Sequence, residues 1–414
     1  MSQPTITNAG RGFHLLTKPV GPICNLDCKY CFYLEKEKLY PGENQWRMSD
    51  EVLEEYIRQY IRSQPSPEIN FAWQGGEPIL LGVEFFRKAV ALQEKFAGEK
   101  TIFNAIQTNG TLIDDEWCEF LASNKFLVGL SIDGPAELHD KHRVDKRQQP
   151  TFAAVMRGLE LLKKHGVEFN TLTVVNRANS LQPLKVYHFL KSIGSQFLQF
   201  IPLVERAAPT EMKSAGYDFA APPLPGQPEN VSTVTPWSVE GEQYGIFLCA
   251  IFDEWVRYDV GITFVQMFDV ALGNWMGLGS SICVFAEKCG AALAIEHNGD
   301  LYSCDHYVYP SHKLGNVMNQ SLGAMVNSPR QTKFGNDKFD SLPKFCRKCE
   351  VRFACNGECP KHRFIQTPDG EAGLNYLCPA YKMFFNHINP HIKTMARLLQ
   401  NDEAPARIME LMRQ

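Results

Sequence analysis

Short runs of β-branched and aromatic residues alternate along the first 260 positions with stretches whose apolar residues recur every three or four places. The runs are "GFHLLTK" (12–18), "INFAWQ" (69–74), "TIFNAIQ" (101–107), "FLVGLSI" (126–132), "FNTLTVV" (169–175) and "FLQFIPLV" (197–204), each of strand length and strand composition. The clearest helical stretch follows Ser49, which can cap it. Asp50 and Glu51 suit the positive end of its dipole, and Val52, Leu53, Tyr56, Ile57, Tyr60 and Ile61 form one apolar stripe. Further helices are expected near 84–96, 114–124, 151–165, 181–193 and 240–258. Six strand-then-helix units imply an α/β fold around a parallel sheet, either doubly wound or curled into a partial barrel, and periodicity does not choose between them.

Polar and glycine-rich loops close the strands: "QGGEP" (74–78), "QTNG" (107–110) and "SIDGP" (131–135). Parallel α/β folds bind ligands at the carboxyl ends of their strands, so these loops should share one mouth. Residues 206–239 carry six prolines and little periodicity, an excursion that either covers that mouth or connects through solvent. Beyond residue 280 the pattern changes to short strands and cysteines, with Asn298 and Gly299 marking a hairpin. The expected organisation is a barrel-type domain over 1–239 with the 206–239 insertion, a last helix and connector over 240–280, a cysteine-rich domain over 281–385 and a helical tail over 386–414.

A composition of 44% hydrophobic and 21% charged residues is that of an ordinary globular chain, and a net charge of −4 disfavours nucleic acid or anionic lipid as partner. No basic segment followed by an apolar stretch opens the sequence, and no run approaches the length of a membrane span, so the expected location is the cytoplasm. Thirteen cysteines in that reducing compartment point to metal binding or thiol chemistry rather than disulfides. Cys118 and Cys249 fall in helix-like stretches and are expected to be packing residues. The other eleven form two groups. At the front, "CNLDCKYCFY" (24–33) places Cys24, Cys28 and Cys31 at spacing C-x3-C-x2-C in the loop after the first strand. A closed zinc site takes four ligands, and no fourth cysteine lies near Cys31; three thiolates on a cubane cluster leave one iron open.

"CNLDCKYCFY" together with "QGGEP" resembles the radical S-adenosylmethionine superfamily. The resemblance implies a partial (β/α)6 barrel, TIM-like, with a [4Fe-4S] cluster on Cys24, Cys28 and Cys31 whose fourth iron is chelated by S-adenosyl-L-methionine. It further implies that Gly75 and Gly76 let the backbone approach that cofactor, as glycine permits. Glu77 would face the methionine ammonium, Ser131 and Arg143 would hold ribose and carboxylate, and Tyr30 and Val204 would line the adenine. On the residues alone, Glu77 could equally be an exposed acid ahead of Pro78.

In the last third, Cys346, Cys349, Cys355 and Cys359 give C-x2-C-x5-C-x3-C, followed by Cys378 and preceded by Cys283, Cys289 and Cys304. This resembles the SPASM extension of peptide-modifying radical enzymes, and implies two auxiliary [4Fe-4S] clusters, three in all. One would sit on Cys283, Cys289, Cys304 and Cys359, the other on Cys346, Cys349, Cys355 and Cys378. A zinc site on four of these sulfurs is the competing reading, since C-x-x-C is also zinc-like.

Within that group "CKYCFY", "QTNGTLID", "KFLVGLSIDGP", "FLQFI" and "SCDHYV" resemble the anaerobic sulfatase-maturating enzymes. The resemblance implies oxidation, without oxygen, of a cysteine or serine to Cα-formylglycine in an unfolded or nascent sulfatase carrying C/S-x-P/A-x-R. A 5′-deoxyadenosyl radical would take hydrogen from Cβ, Asp305 would be the base, Tyr33 would contact the peptide, and flavodoxin or ferredoxin would supply electrons. Two other readings stay open. A thioether-forming peptide enzyme would share the eleven cysteines but would be expected to carry more chain before the first strand; a multi-cluster electron carrier would have no use for "QGGEP" or Arg143.

Overall fold

The computed structural model describes residues 6–214, 216–224 and 233–413. Ten strands position the site: β1 His14–Lys18, β2 Glu68–Trp73, β3 Thr101–Thr108, β4 Leu127–Ser131, β5 Phe169–Val175, β6 Phe197–Pro202, β7 Phe264–Val265, β8 Ala292–Glu296, β9 Asp300–Tyr302 and β10 Lys313–Asn316. The chain forms two compact units. The first comprises Met1–Ser131, Asp140–Phe169 and Cys289–Asn336; the second comprises Ile132–His139, Asn170–Lys288 and Asp337–Gln414.

In the first unit the strand order is β10-β9-β8-β1-β2-β3-β4, with β1 to β4 parallel. Helices Asp50–Ser63, Val83–Ala97 and Asp115–Ser123 follow β1, β2 and β3. Local signals set their starts. The Ser49 hydroxyl accepts from Val52 N at 3.3 Å and the Asp114 carboxylate from Trp117 N at 2.9 Å, each satisfying one orphan donor of a first turn. The stripe Leu53, Tyr56, Ile57, Tyr60 and Ile61 is buried against strand residues Ile69, Phe71 and Trp73, in a core stiffened by edge-to-face aromatic pairs such as Tyr60 and Phe71 at 5.0 Å.

The hairpin expected at Asn298 and Gly299 forms between β8 and β9, with Gly299 at φ +85° and its N–H donating to Glu296 O. β8 runs parallel to β1 in full register, from His14 opposite Ala292 to Lys18 opposite Glu296. Thus residues 289–336 share the first unit's sheet.

The second unit carries β5, β6 and β7, parallel, with helices Pro183–Ser192 and Gly241–Tyr258. The helical tail expected from 386 is the continuation of one helix, Cys378–Gln400, which crosses Gly241–Tyr258 closely. A Cβ on Gly245 would lie 3.0 Å from Ala380 Cα, so any larger residue would press the two helices apart by a few tenths of an ångström. The described ends of the 206–239 segment are tied down by bridges of Arg206 to Val234 and Ala207 to Phe219, and Ser238 and Val239 are buried; residues 215 and 225–232 lie outside the described residues. No helix among the described residues is long and apolar enough to cross a membrane.

Candidate active site

The loop after β1 holds Cys24, Cys28 and Cys31, all half-buried and none in a disulfide. Leu26 N and Asn109 Nδ2 point at Cys24 Sγ, at 3.4 and 3.8 Å, and Asn109 also donates to Asn25 at 2.8 Å. Burial, reinforced by the charge of Glu77, pushes the Cys24 thiol up to about 12. A sulfur in that setting ionises only against a strong positive charge, which is what an iron–sulfur cluster supplies and what N–H donors to sulfur then favour. The donor set therefore fits a cluster.

The "QGGEP" loop is bolted to the cysteine loop. Gly76 N donates to Gly21 O and Glu77 N to Ile23 O, both at 2.8 Å. Gly75 sits at φ +130°, and a Cβ on Gly76 would fall 1.8 Å from Ile23 O. In this structure the glycine pair thus serves the approach of two backbones to each other. Glu77 is 1% exposed, which removes the reading as a surface acid. Its carboxylate accepts from Thr108 Oγ1 at 2.7 Å, Asn109 N at 2.8 Å and Ile79 N at 3.2 Å, and burial outweighs these donors to raise its carboxyl to about 7.

A hairpin-like return at 142–150 brings Arg143 to the same loop: Asp27 N donates to Val144 O and Lys29 N to His142 O. The Arg143 guanidinium stands 5.5 Å from the Tyr30 ring, and both residues are buried. Ser131, ending β4, accepts from Gln107 Nε2 at 3.0 Å. Val204 is buried in the second unit, just past β6.

Asp305 opens a short 3-10 turn directly after Cys304. A shielded cavity is the setting expected for this carboxylate; the structure also gives it a charge partner. Lys18, its side chain 2% exposed, sits with Nζ 2.5 Å from Asp305 Oδ1 and 4.4 Å from the centre of the Tyr33 ring. Tyr33 is buried and its hydroxyl donates to Glu296 Oε1. Lys18 and Glu296 carry no signal in the sequence, because only the β1–β8 register makes them neighbours.

In the second unit, Cys346, Cys349, Cys355 and Cys378 line one small cavity, closed by Phe345, Val351 and Asn375. Burial pushes Cys355 up to about 12 and Cys378 to about 11, with the neighbouring thiols adding to the effect. Four sulfurs lining one cavity, Cys346 buried and the other three half-buried, fit a cluster by the same reasoning. Of the other expected ligand set, Cys289 and Cys304 lie in the first unit and Cys283 and Cys359 in the second.

The radical SAM superfamily model matches residues 19–190, and an iron-sulfur cluster-binding domain model, SPASM, matches 283–350. The chain is 48% identical to a serine-type anaerobic sulfatase-maturating enzyme of Bacteroides thetaiotaomicron, over 100% of this chain and 98% of that enzyme. It is 34% identical to a cysteine-type enzyme of Clostridium perfringens, over 92% and 98%. A solved structure described as native anSMEcpe with bound AdoMet and Kp18Cys peptide superposes with TM-score 0.79 at 34% identity, covering 93% of this chain and 99% of that one.

Proposed function

The chain belongs to the anaerobic sulfatase-maturating enzymes, radical S-adenosylmethionine proteins with a SPASM region, and from that membership we propose that it converts a serine of a sulfatase polypeptide to Cα-formylglycine. The observation that carries this is the full-length identity to a serine-type enzyme, joined to a cysteine triplet that offers three sulfurs beside a buried carboxylate. We assign three [4Fe-4S] clusters: Cys24, Cys28 and Cys31 hold the first; Cys346, Cys349, Cys355 and Cys378 hold the one in the second unit's cavity; and Cys283, Cys289, Cys304 and Cys359 hold the third. When bound, the clusters and S-adenosylmethionine supply the one-electron chemistry that removes a hydrogen atom from Cβ and an electron from the substrate.

The chain's own residues do the rest. Glu77 faces the ammonium of the cofactor, Arg143 and Ser131 its carboxylate and ribose, and Tyr30 and Val204 its adenine. Asp305 takes the proton released from the target hydroxyl; Lys18 fixes the carboxylate's position, and Tyr33 stands beside them at the peptide. The substrate is a nascent or unfolded chain with the C/S-x-P/A-x-R sequence, the location cytoplasmic, and the reductant a flavodoxin or ferredoxin.

Two synthetic peptides, identical but for serine or cysteine at the target, test the reading after anaerobic turnover. Mass spectrometry of the serine peptide should show the loss of two hydrogen atoms; an unchanged serine peptide with a converted cysteine peptide would reassign the substrate type, and two unchanged peptides would overturn the function.

Glu77 adds a pH signature. A carboxyl that titrates near 7 in the empty site must be ionised to hold a cation, so cofactor affinity should rise with pH, about tenfold between pH 6 and 8. Calorimetry should show a proton leaving on binding, and Glu77→Gln should flatten the dependence.

A further inference from the structure

The loop "QTNG" (107–110) at the end of β3 sends one buried side chain, Asn109, toward the front triplet. Its Oδ1 accepts from Thr111 N at 3.0 Å and from Thr111 Oγ1 at 2.7 Å. A backbone N–H only donates, so the amide is oriented one way: oxygen toward Thr111, nitrogen toward the cysteine loop. There Nδ2 donates to Asn25 Oδ1 at 2.8 Å and to Cys24 Sγ at 3.8 Å. Asn25 Nδ2 closes the circuit by donating to Thr111 Oγ1 at 2.9 Å. Asn109, Asn25 and Thr111 thus form a ring in which each side chain donates to the next, and the second N–H of Asn109 is aimed at sulfur.

The ring is firmly mounted. Arg157 Nη2 donates to Thr111 O at 2.6 Å, and a Cβ on Gly158 would fall 2.2 Å from Gly110 O, so the helix Phe152–Lys164 rests directly on the loop. On the other side Asn109 N donates to Glu77 Oε2 at 2.8 Å. One residue therefore joins the carboxylate assigned to the cofactor's ammonium and the first sulfur assigned to the cluster. Leu26 N, at 3.4 Å, is a second donor to that sulfur. An N–H aimed at a ligand sulfur favours the reduced, more negative form of a cluster over the oxidised one, which is how hydrogen bonds to the sulfurs set a potential. An amide does not titrate, so the bias is the same across the working pH range.

We propose that Asn109 is a positioning residue that poises the front cluster for reduction, its N–H held on Cys24 by the ring with Asn25 and Thr111. The role rests on the assignment of Cys24, Cys28 and Cys31 to that cluster. Loss of the N–H makes the cluster harder to reduce, so cofactor cleavage falls when the reductant is weak and is spared when it is strong.

Anaerobic redox titration of the fully loaded holoenzyme, followed by electron paramagnetic resonance, tests this without reference to turnover. The front cluster is the one whose signal changes when S-adenosylmethionine is added. Asn109→Ala should keep its full iron content and show an equilibrium constant for reduction about tenfold lower, a shift of ~59 mV to more negative potential for one electron. The auxiliary signals should not move. Thr111→Val, which opens the ring but leaves Asn109 in place, should shift the front potential the same way by a smaller amount. If Asn109→Ala fails to retain the front cluster, Thr111→Val carries the test alone. A merely structural asparagine would cost iron or thermal stability without moving the potential of the cluster that remains. An unmoved front potential in either fully loaded variant would overturn the proposal, whereas an unaltered enzyme with no cofactor-responsive cluster would overturn the assignment of the triplet on which it rests.

Discussion

Cys28→Ala should form no detectable 5′-deoxyadenosine and no aldehyde, and its iron content should drop by one cluster's worth. The reason is the donor count. The front loop offers three sulfurs, so one substitution leaves two, and a cubane with two protein ligands has lost the arrangement that leaves a single open iron. The loss should far exceed the ~10–100-fold typical of removing a group that only supports a ligand. The contrasting variant is Cys378→Ala, at the cavity of the second unit. It should still cleave the cofactor while failing to finish the substrate. Anaerobic chromatography for deoxyadenosine, with mass spectrometry of the peptide, reads both outcomes in one sample; aldehyde formation by Cys28→Ala would remove the front triplet from the chemistry.

Asp305→Asn should separate the same two products, as Cys378→Ala does, for a different reason. The amide keeps the shape of the side chain and can still accept a hydrogen bond from Lys18, but it cannot take a proton. Deoxyadenosine should therefore persist while aldehyde falls by about 10²–10⁴-fold, the range attached to a positioned general base. Because Lys18 is buried and would lose its counter-charge, stability should also fall, by up to ~3–5 kcal/mol. A thermal unfolding scan checks that part. If Lys18→Met in the same background regains stability without regaining aldehyde, the two contributions of Asp305 are resolved. Full aldehyde formation in Asp305→Asn would move the base elsewhere.

Much of the first 260 residues was legible because the signals are local. A serine or aspartate ahead of an apolar stripe sets a helix start within a turn, and the caps at Ser49 and Asp114 do so here. The front triplet was legible for the same reason, its three sulfurs lying within eight positions. What escaped depends on pairing between distant segments. Nothing in "ALAIE" says that it will lie beside "HLLTK", and without that register Lys18 is only the last residue of a strand. The ion pair with Asp305 and the burial of Glu296 both follow from it. Glu77 shows a milder case: its neighbours in sequence left an exposed acid and a buried one equally open, and the donors at Thr108 and Asn109 that make burial tolerable arrive from the end of another strand.

The parallel register of β1 with β8 also fixes a timetable for synthesis. The strand that leads into the cysteine loop is made well before its partner, so one of its edges stays open until residues 292–296 have been translated. The lysine must likewise wait, unneutralised, for its aspartate at 305. Such distant closure is slow and exposes unpaired edges meanwhile. A ribosome stalled short of position 292 would hold a chain that has its three front thiols but not the strand that pairs beside the one leading into them.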